Sequence, residues 1–375
     1  MQHPRLVSVV RAAIATAQLP EPPLSDEHGT IPVAHYTDPA RIAAERARLF
    51  RALPIPIAHV SEVLAPRSVV VRELDGVSII LARSEDGVLH GMLNACRHRG
   101  VRLVREPSSC PKALVCPYHN WTYGLDGALR HVPHACAFEA TETAGRDLVP
   151  VRIEERHGIV WASLSPNAPS VAEHLGELDE EITLERDVAL RRQVSEQRGN
   201  WKFLMEAFLE GYHIRSLHRS TVYPFFVDAR SAAERVGPHV RAATARRTAR
   251  EANEADAPLR ELTTPSYMIF PATTLILHPD WTSLVVVQPL ATDRFLWSHT
   301  QLVHEDDVPK TDAAIAHFER SFSLIEGSVF SGEDLLMCAE IQNGIETGAN
   351  ESFLFGRLES PALWFHESIR AALQS

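Results

Sequence analysis

Apolar residues in Leu6–Ala17 (LVSVVRAAIATA) recur at helical spacing, and Arg11 interrupts them, so the pattern predicts an amphipathic helix rather than a secretion signal. The proline-rich stretch 19–24 separates it from Pro39–Ala52, where Ile42, Ala43, Leu49 and Phe50 can share one helical face. From about Val60 to Leu164 the period changes. Short β-type runs at Ser68–Arg72, Val77–Leu81, Leu89–Leu93, Ala113–Cys116 and Gly158–Leu164 are joined by Asp75-Gly76, Asp86-Gly87 and Asp126-Gly127, pairs suited to tight hairpins. This block reads as a small all-β unit.

After Pro166 a charged stretch reads as helical, and Asn200–Leu217 (NWKFLMEAFLEGYHIRSL) is the strongest helix candidate. Arg241–Arg250 (RAATARRTAR) is locally basic and reads as an exposed helix or loop, a solvated face rather than an anion site. Strand patterning returns at Tyr267–Phe270, Thr273–His278 with Ser283–Leu290, and Phe295–His304, followed by helices at about Thr311–Glu326 and Ser331–Ile345. The fold class expected is α+β. The predicted division is a helical lead-in over 1–55, a β-domain over 56–165 and a larger mixed domain over 166–375 to which the lead-in belongs.

Composition narrows the function. Lys and Arg total 37 against 48 Asp and Glu, a net charge of −11, which argues against a sequence-independent nucleic-acid binder. No apolar run reaches the ~18–20 residues that span a bilayer, so a cytoplasmic protein without membrane association is expected. Neither a dinucleotide-binding glycine fingerprint nor a P-loop occurs. Five cysteines are too few for a disulfide scaffold, but 19 histidines call for an explanation.

Cys96-Arg-His98 and Cys116-Pro-Tyr-His119 each offer one thiolate and one imidazole on a short loop. Such a set can hold zinc, or it can divide between the two irons of a 2Fe-2S cluster. Zinc knuckles usually pair their cysteines, whereas these mix sulfur with nitrogen, which suits a cluster with both sulfurs on one iron. Cys110 and Cys136 lie outside the pattern and read as packed or surface thiols. Further on, Glu210-Gly-Tyr-His213-Ile-Arg-Ser-Leu-His218 spaces two histidines five residues apart. Two histidines and a carboxylate commonly hold an oxygen-activating Fe(II). A five-residue step turns a helix by ~140° net, so the helix must end, kink or bulge for both to share a site.

The string from Cys96 to Gly100, followed by Cys116-Pro-Tyr-His-Asn-Trp-Thr-Tyr-Gly124, resembles the cluster signature of Rieske non-haem iron oxygenases. Asn200-Trp-Lys202, Glu206, Phe208 and Glu210-x-x-His213-x(4)-His218 resemble the iron-binding helix of the same family, with Ala207 departing from a frequent Asn. Ser331-Gly-Glu-Asp334 through Glu340 and Gln342 resembles its late acidic segment. The resemblance implies an all-β Rieske domain inserted in a helix-grip catalytic domain. It also implies a 2Fe-2S cluster on Cys96, His98, Cys116 and His119, and an Fe(II) on His213, His218 and Asp334, with Glu333 as the substitute carboxylate. Glu210 would bridge to a cluster histidine of a neighbouring subunit in a homotrimer. The activity implied is that of a terminal oxygenase fed by a reductase or ferredoxin. It would use O2 to hydroxylate or oxidatively demethylate a small molecule, an aromatic compound first and a quaternary amine second. Trp281, Tyr267, Phe225 and Phe226 are then the candidates for an aromatic cage. A lone Rieske ferredoxin, a zinc-stabilised module and an iron-free helix-grip ligand binder are the competing classes.

Overall fold

A seven-stranded antiparallel sheet organises the larger unit of the computed structural model, which describes residues 4–106, 108–109, 112–250 and 258–374. Its strands lie in the spatial order Asp187–Arg198, Arg294–His304, Thr282–Pro289, Thr273–Leu277, Thr263–Ile269, His239–Arg246 and Phe226–Val236. Four of these match the expected β runs. The other three correct the sequence reading. Of the charged stretch after Pro166, Val171–Leu175 and Gly176–Glu180 are helical, but Asp187–Arg198 is an edge strand whose charged side chains are half-buried or exposed. Phe226–Val236 and His239–Arg246 pair with each other, so Arg241–Arg246 is strand and not exposed helix or loop.

The helices differ from expectation in a way that matters for the site. Asp312–Phe322, a widely wound π-type segment Ser323–Asp334, and Leu335–Glu346 follow one another without a break. Ser331–Asp334 therefore lies inside continuous helix instead of starting one. Conversely, the expected Asn200–Leu217 helix is only Trp201–Ala207, started by the Asn200 side chain accepting from Lys202 N at 3.1 Å and ended at Phe208. Lys202 is anchored by Glu45, Nζ to Oε2 2.7 Å, and the same oxygen accepts from Trp201 Nε1 at 2.9 Å, all fully buried. Glu45, not Ala43, thus joins Ile42 on the inner face of the Pro39–Glu45 helix, and Ala43 is exposed. Gly199 precedes this junction at φ +122°, where a Cβ would sit 2.7 Å from the Cys338 carbonyl, so only glycine lets the chain pass the long helix so closely. The N-terminal helix Pro4–Ala17 buries Leu6, Val10, Ala13 and Ile14 against the Phe226–Val236 and His239–Arg246 strands.

The smaller unit spans Phe50–His174, while Met1–Leu49 and Leu175–Ser375 make the larger one, so the expected boundaries at 55/56 and 165/166 both fall inside the smaller unit. It contains a sheet of Arg152–Arg156, Ile159–Ser163 and Ile55–His59, a four-stranded sheet including Ser68–Leu74, Val77–Arg83 and Leu89–Leu93, and a three-stranded sheet of short strands. Asp75-Gly76 closes the Leu74–Val77 hairpin as predicted. One core joins Val69, Ile80, Met92, Leu114, Trp121, Tyr123 and Leu148 to the two cysteines Cys96 and Cys116. Cys110 lies outside the described residues, and Cys136 is exposed.

Candidate metal centres

The two Cys-His loops of the smaller unit are built alike. Cys96 N donates to Val101 O at 2.9 Å and Gly100 N to Cys96 O at 2.8 Å; Cys116 N donates to Trp121 O at 2.9 Å and Asn120 N to Cys116 O at 3.0 Å. The fourth residue after each cysteine is left-handed, Gly100 at φ +75° and Asn120 at φ +58°, the two residue types that tolerate it best. This repeated turn buries both thiols and presents His98 and His119 at a ring separation of 4.7 Å. Tyr123 Oη lies 3.4 Å from Cys96 Sγ and accepts from Arg97 N at 3.0 Å, while Trp121 stacks on His98 at 5.0 Å. Burial pushes the Cys116 thiol up, with Cys96 adding to it, and burial beside His119 pushes His98 down. Two imidazoles beside two buried thiols, with His119 Nδ1 buried and lacking a partner among the described residues, suit a sulfur- and nitrogen-ligated cluster.

In the larger unit the helix has already ended when the chain reaches Glu210, and a separate turn carries both histidines: Leu217 N donates to His213 O at 2.8 Å and His218 N to Ile214 O at 3.2 Å. The rings meet edge to face at 5.0 Å. Asp334, from the end of the π-type segment, brings Oδ1 to 3.2 Å from His218 Nε2 and 3.7 Å from His213 Nε2. One ligand atom from each of the three falls within 4.8 Å of the other two. The buried Asp334 Oδ1 has no hydrogen-bond donor among the described residues, as fits an atom reserved for a cation. Glu333 does something else. Its Oε2 lies 2.7 Å from His218 Nδ1 and accepts from Thr221 Oγ1 at 2.8 Å, so it orients His218 from behind. Glu210 treats His213 in the same way: Oε1 engages Nδ1, and Oε2 accepts from the backbone N–H groups of Tyr212 and His213. Burial opposes the charge on His218, but Asp334 and Glu333 outweigh it and raise its pKa.

These groups open into a cavity of about 460 Å³ walled by Phe208, Phe330 and Trp281. Its floor is the sheet: Thr244 and Arg246, Thr264 and Ser266, and Thr274 and Ile276 are alternate residues of three neighbouring strands. Three of the four aromatic cage candidates reach it, since Phe225, Phe226 and Trp281 line it. Tyr267 does not; its hydroxyl faces Glu181 at 3.3 Å. Arg246, read from sequence as solvated, is in the cavity, and so are His278, Asp280 and His317. A second cavity of about 550 Å³ also reaches His213 and Asp334 and is lined by Glu206, Glu210 and Glu359.

The two sites define a chain with a Rieske [2Fe-2S] domain and a catalytic domain for mononuclear iron. Residues 54–144 match the Rieske [2Fe-2S] domain family, and residues 184–375 match the ring hydroxylating alpha subunit (catalytic domain) family. The chain belongs to the ring-hydroxylating alpha-subunit family. It is 35% identical over 198 residues to the carnitine monooxygenase oxygenase subunit of Escherichia coli K12, covering 51% of this chain and 53% of that one. It is 30% identical over 197 residues to the anthranilate 1,2-dioxygenase large subunit of Acinetobacter baylyi, covering 50% and 42%. The matched region spans about half the length of these relatives. A solved quaternary ammonium Rieske monooxygenase superposes with a TM-score of 0.80 at 20% identity, over 96% of this chain and 98% of that one, a likeness of fold. No helix among the described residues is long and apolar enough to cross a membrane.

Proposed function

We propose that the protein is the terminal oxygenase component of a Rieske-type system, taking electrons from a separate reductase or ferredoxin and using O2 to hydroxylate or oxidatively demethylate a small organic substrate. The observation that carries this reading is the convergence of His213 Nε2, His218 Nε2 and Asp334 Oδ1 beside a largely apolar cavity. Cys96, His98, Cys116 and His119 would hold the cluster, and His213, His218 and Asp334 the iron. When bound, the cluster supplies single electrons and the iron supplies oxygen activation.

The chain's own residues do the rest. Glu210 and Glu333 accept hydrogen bonds from Nδ1–H of His213 and His218 and so turn both Nε2 lone pairs toward the site. Phe208, Phe330 and Trp281 exclude water from the substrate side. Glu210 also lines the second cavity with Glu206 and Glu359, an acidic recess suited to receiving a cluster histidine of a neighbouring subunit in a homotrimer. Relatives named for carnitine and glycine betaine favour a quaternary amine over the aromatic substrate expected first, and the relative named for anthranilate keeps the aromatic reading open.

Anaerobic purification with metal analysis and electron paramagnetic resonance tests the assignment. About three irons and two sulfides per chain are expected, with the spectrum of a cluster ligated by two nitrogens. Zinc in place of iron sinks the reading, and so does iron without substrate-stimulated oxygen uptake when a reductase is supplied.

A further inference from the structure

One group in the substrate cavity has no part in the chemistry above. Arg246 ends the His239–Arg246 strand, and its guanidinium lies over the rings of Phe225 and Phe226, 5.7 and 5.4 Å from their centroids. A guanidinium stacked on rings keeps its donors in its own plane, where they point sideways. Nη1 gives one of them to Thr264 Oγ1 at 3.2 Å. Among the described residues no carboxylate meets the others.

Several other arginines of this unit are paired with acids. Arg241 on the same strand pairs with Glu181 and Glu234, Arg235 with Glu367, and Arg294 with Glu196. Asp280, an acid of the cavity wall, is engaged by His317 Nε2. Burial alone lowers the Arg246 pKa, with no acid holding it up, and burial, then His299, Arg260 and Arg246, push His278 down. A second observation is independent of charge. Thr274, 1% exposed, lies on the same floor, and its Oγ1 has no hydrogen-bond partner among the described residues. Thr274 is level with Met268 and Val240, six residues along the strand from Arg246, so it marks the far end of the floor; the half-buried cation with spare donors is itself costly in an empty protein, and an anion relieves it.

We propose that Arg246 is the anion anchor of this cavity and that the substrate is a small carboxylic acid. Its carboxylate is held by Arg246 and Thr264, and its organic body runs over the threonine floor toward His213, His218 and Asp334. The inference takes its chemistry from the oxygenase reading, but its binding geometry stands on Arg246. Anchoring at one end makes the length of the body decide which carbon reaches the iron site. It also reassigns the rings: Arg246 occupies the faces of Phe225 and Phe226, so a trimethylammonium body would lie against Phe208, Phe330 or Trp281.

Calorimetric titration of the anaerobic full chain without reductant tests this with benzoate, 3-phenylpropanoate and γ-butyrobetaine, each against its primary amide. At least one acid is expected to bind at least ~10-fold more tightly than its amide, and Arg246→Gln is expected to weaken that acid by ~10- to 100-fold while leaving the amide unchanged. Arg246→Lys should recover part of the loss, and iron content and melting temperature show whether each variant is folded. Amides that bind wild type as well as the acids, an acid preference that survives Arg246→Gln, or binding of none of the three acids overturns the anchor. An acid that binds through Arg246 but never stimulates oxygen uptake overturns the oxygenase reading and leaves the anchor standing.

Discussion

Glu333→Ala and Asp334→Ala change adjacent carboxylates, and the structure gives them unequal consequences. Asp334 Oδ1 faces both Nε2 atoms, at 3.2 and 3.7 Å, so its loss leaves two ligands and a site that should not retain iron through gel filtration. Glu333 touches the far side of His218, 2.7 Å from Nδ1, and accepts from Thr221 Oγ1 at 2.8 Å. Without it all three ligand atoms remain, but His218 Nδ1 loses its acceptor and the ring is free to turn, while Thr221 Oγ1 keeps only the His218 carbonyl. Outer partners of this kind are worth ~10- to 100-fold in metal affinity, or about 1.4–2.7 kcal/mol. Glu333→Gln keeps an acceptor and loses the charge, so the difference between a charge-assisted and a neutral hydrogen bond, about 0.5–2 kcal/mol, is the cost expected. Iron retained against a graded chelator series reads all three variants, with the cluster spectrum as an internal standard. The expected order of retention is wild type, Glu333→Gln, Glu333→Ala, then Asp334→Ala. Iron lost in Glu333→Ala but kept in Asp334→Ala would refute the reasoning.

Four further outcomes are expected. His213→Ala should abolish turnover and leave the cluster spectrum intact, whereas Glu210→Gln should keep both metals and slow cluster-to-iron electron transfer in single-turnover kinetics; normal rates in Glu210→Gln would remove its bridging role. Lys202→Met removes one of the two cations of the fully buried Glu45, leaving Arg41 Nε at 3.0 Å, and should cost about 1.5–3 kcal/mol in urea unfolding; a variant as stable as wild type would show the pair to be idle. Burial, with Arg41 next, lowers His35 from 6.5 to about 4, so the unfolded chain takes up a proton that the folded one refuses. The stability contributed is complete above pH 6.5 and lost as pH falls toward 4, and His35→Gln should flatten this part of the stability–pH curve measured by denaturant titration.

The smaller unit's site was legible because its signals are local. Each Cys-His loop carries its own ligands, and Gly100 and Asn120 supply the left-handed turn within four residues of a cysteine. The iron site is assembled from segments more than a hundred residues apart, so only resemblance brought Asp334 to His213 and His218. Sequence also made the helix too long, since helical spacing continues past Ala207 where the backbone does not. Arg246 was missed for a different reason. In Arg241–Arg246 one face is Arg241, Ala243 and Ala245 and the other Ala242, Thr244 and Arg246, an alternation hidden because alanine is neither a strong strand former nor distinctly core or surface. Only the pairing with Thr263–Ile269 reveals which arginine is buried with acids and which faces the cavity.

The larger unit is sewn together from both ends of the chain. The Gly29–Pro32 strand pairs with Ser352–Phe355, and the Pro4–Ala17 helix packs on strands that begin at Phe226. The Phe50–His174 unit, by contrast, draws on one continuous stretch. On a ribosome the cluster-binding part can close while the last two hundred residues are still being made, whereas the outer part must wait for its final helices. In order of synthesis, Cys96 and Cys116 are thus both in place before His213, His218 and Asp334 can meet.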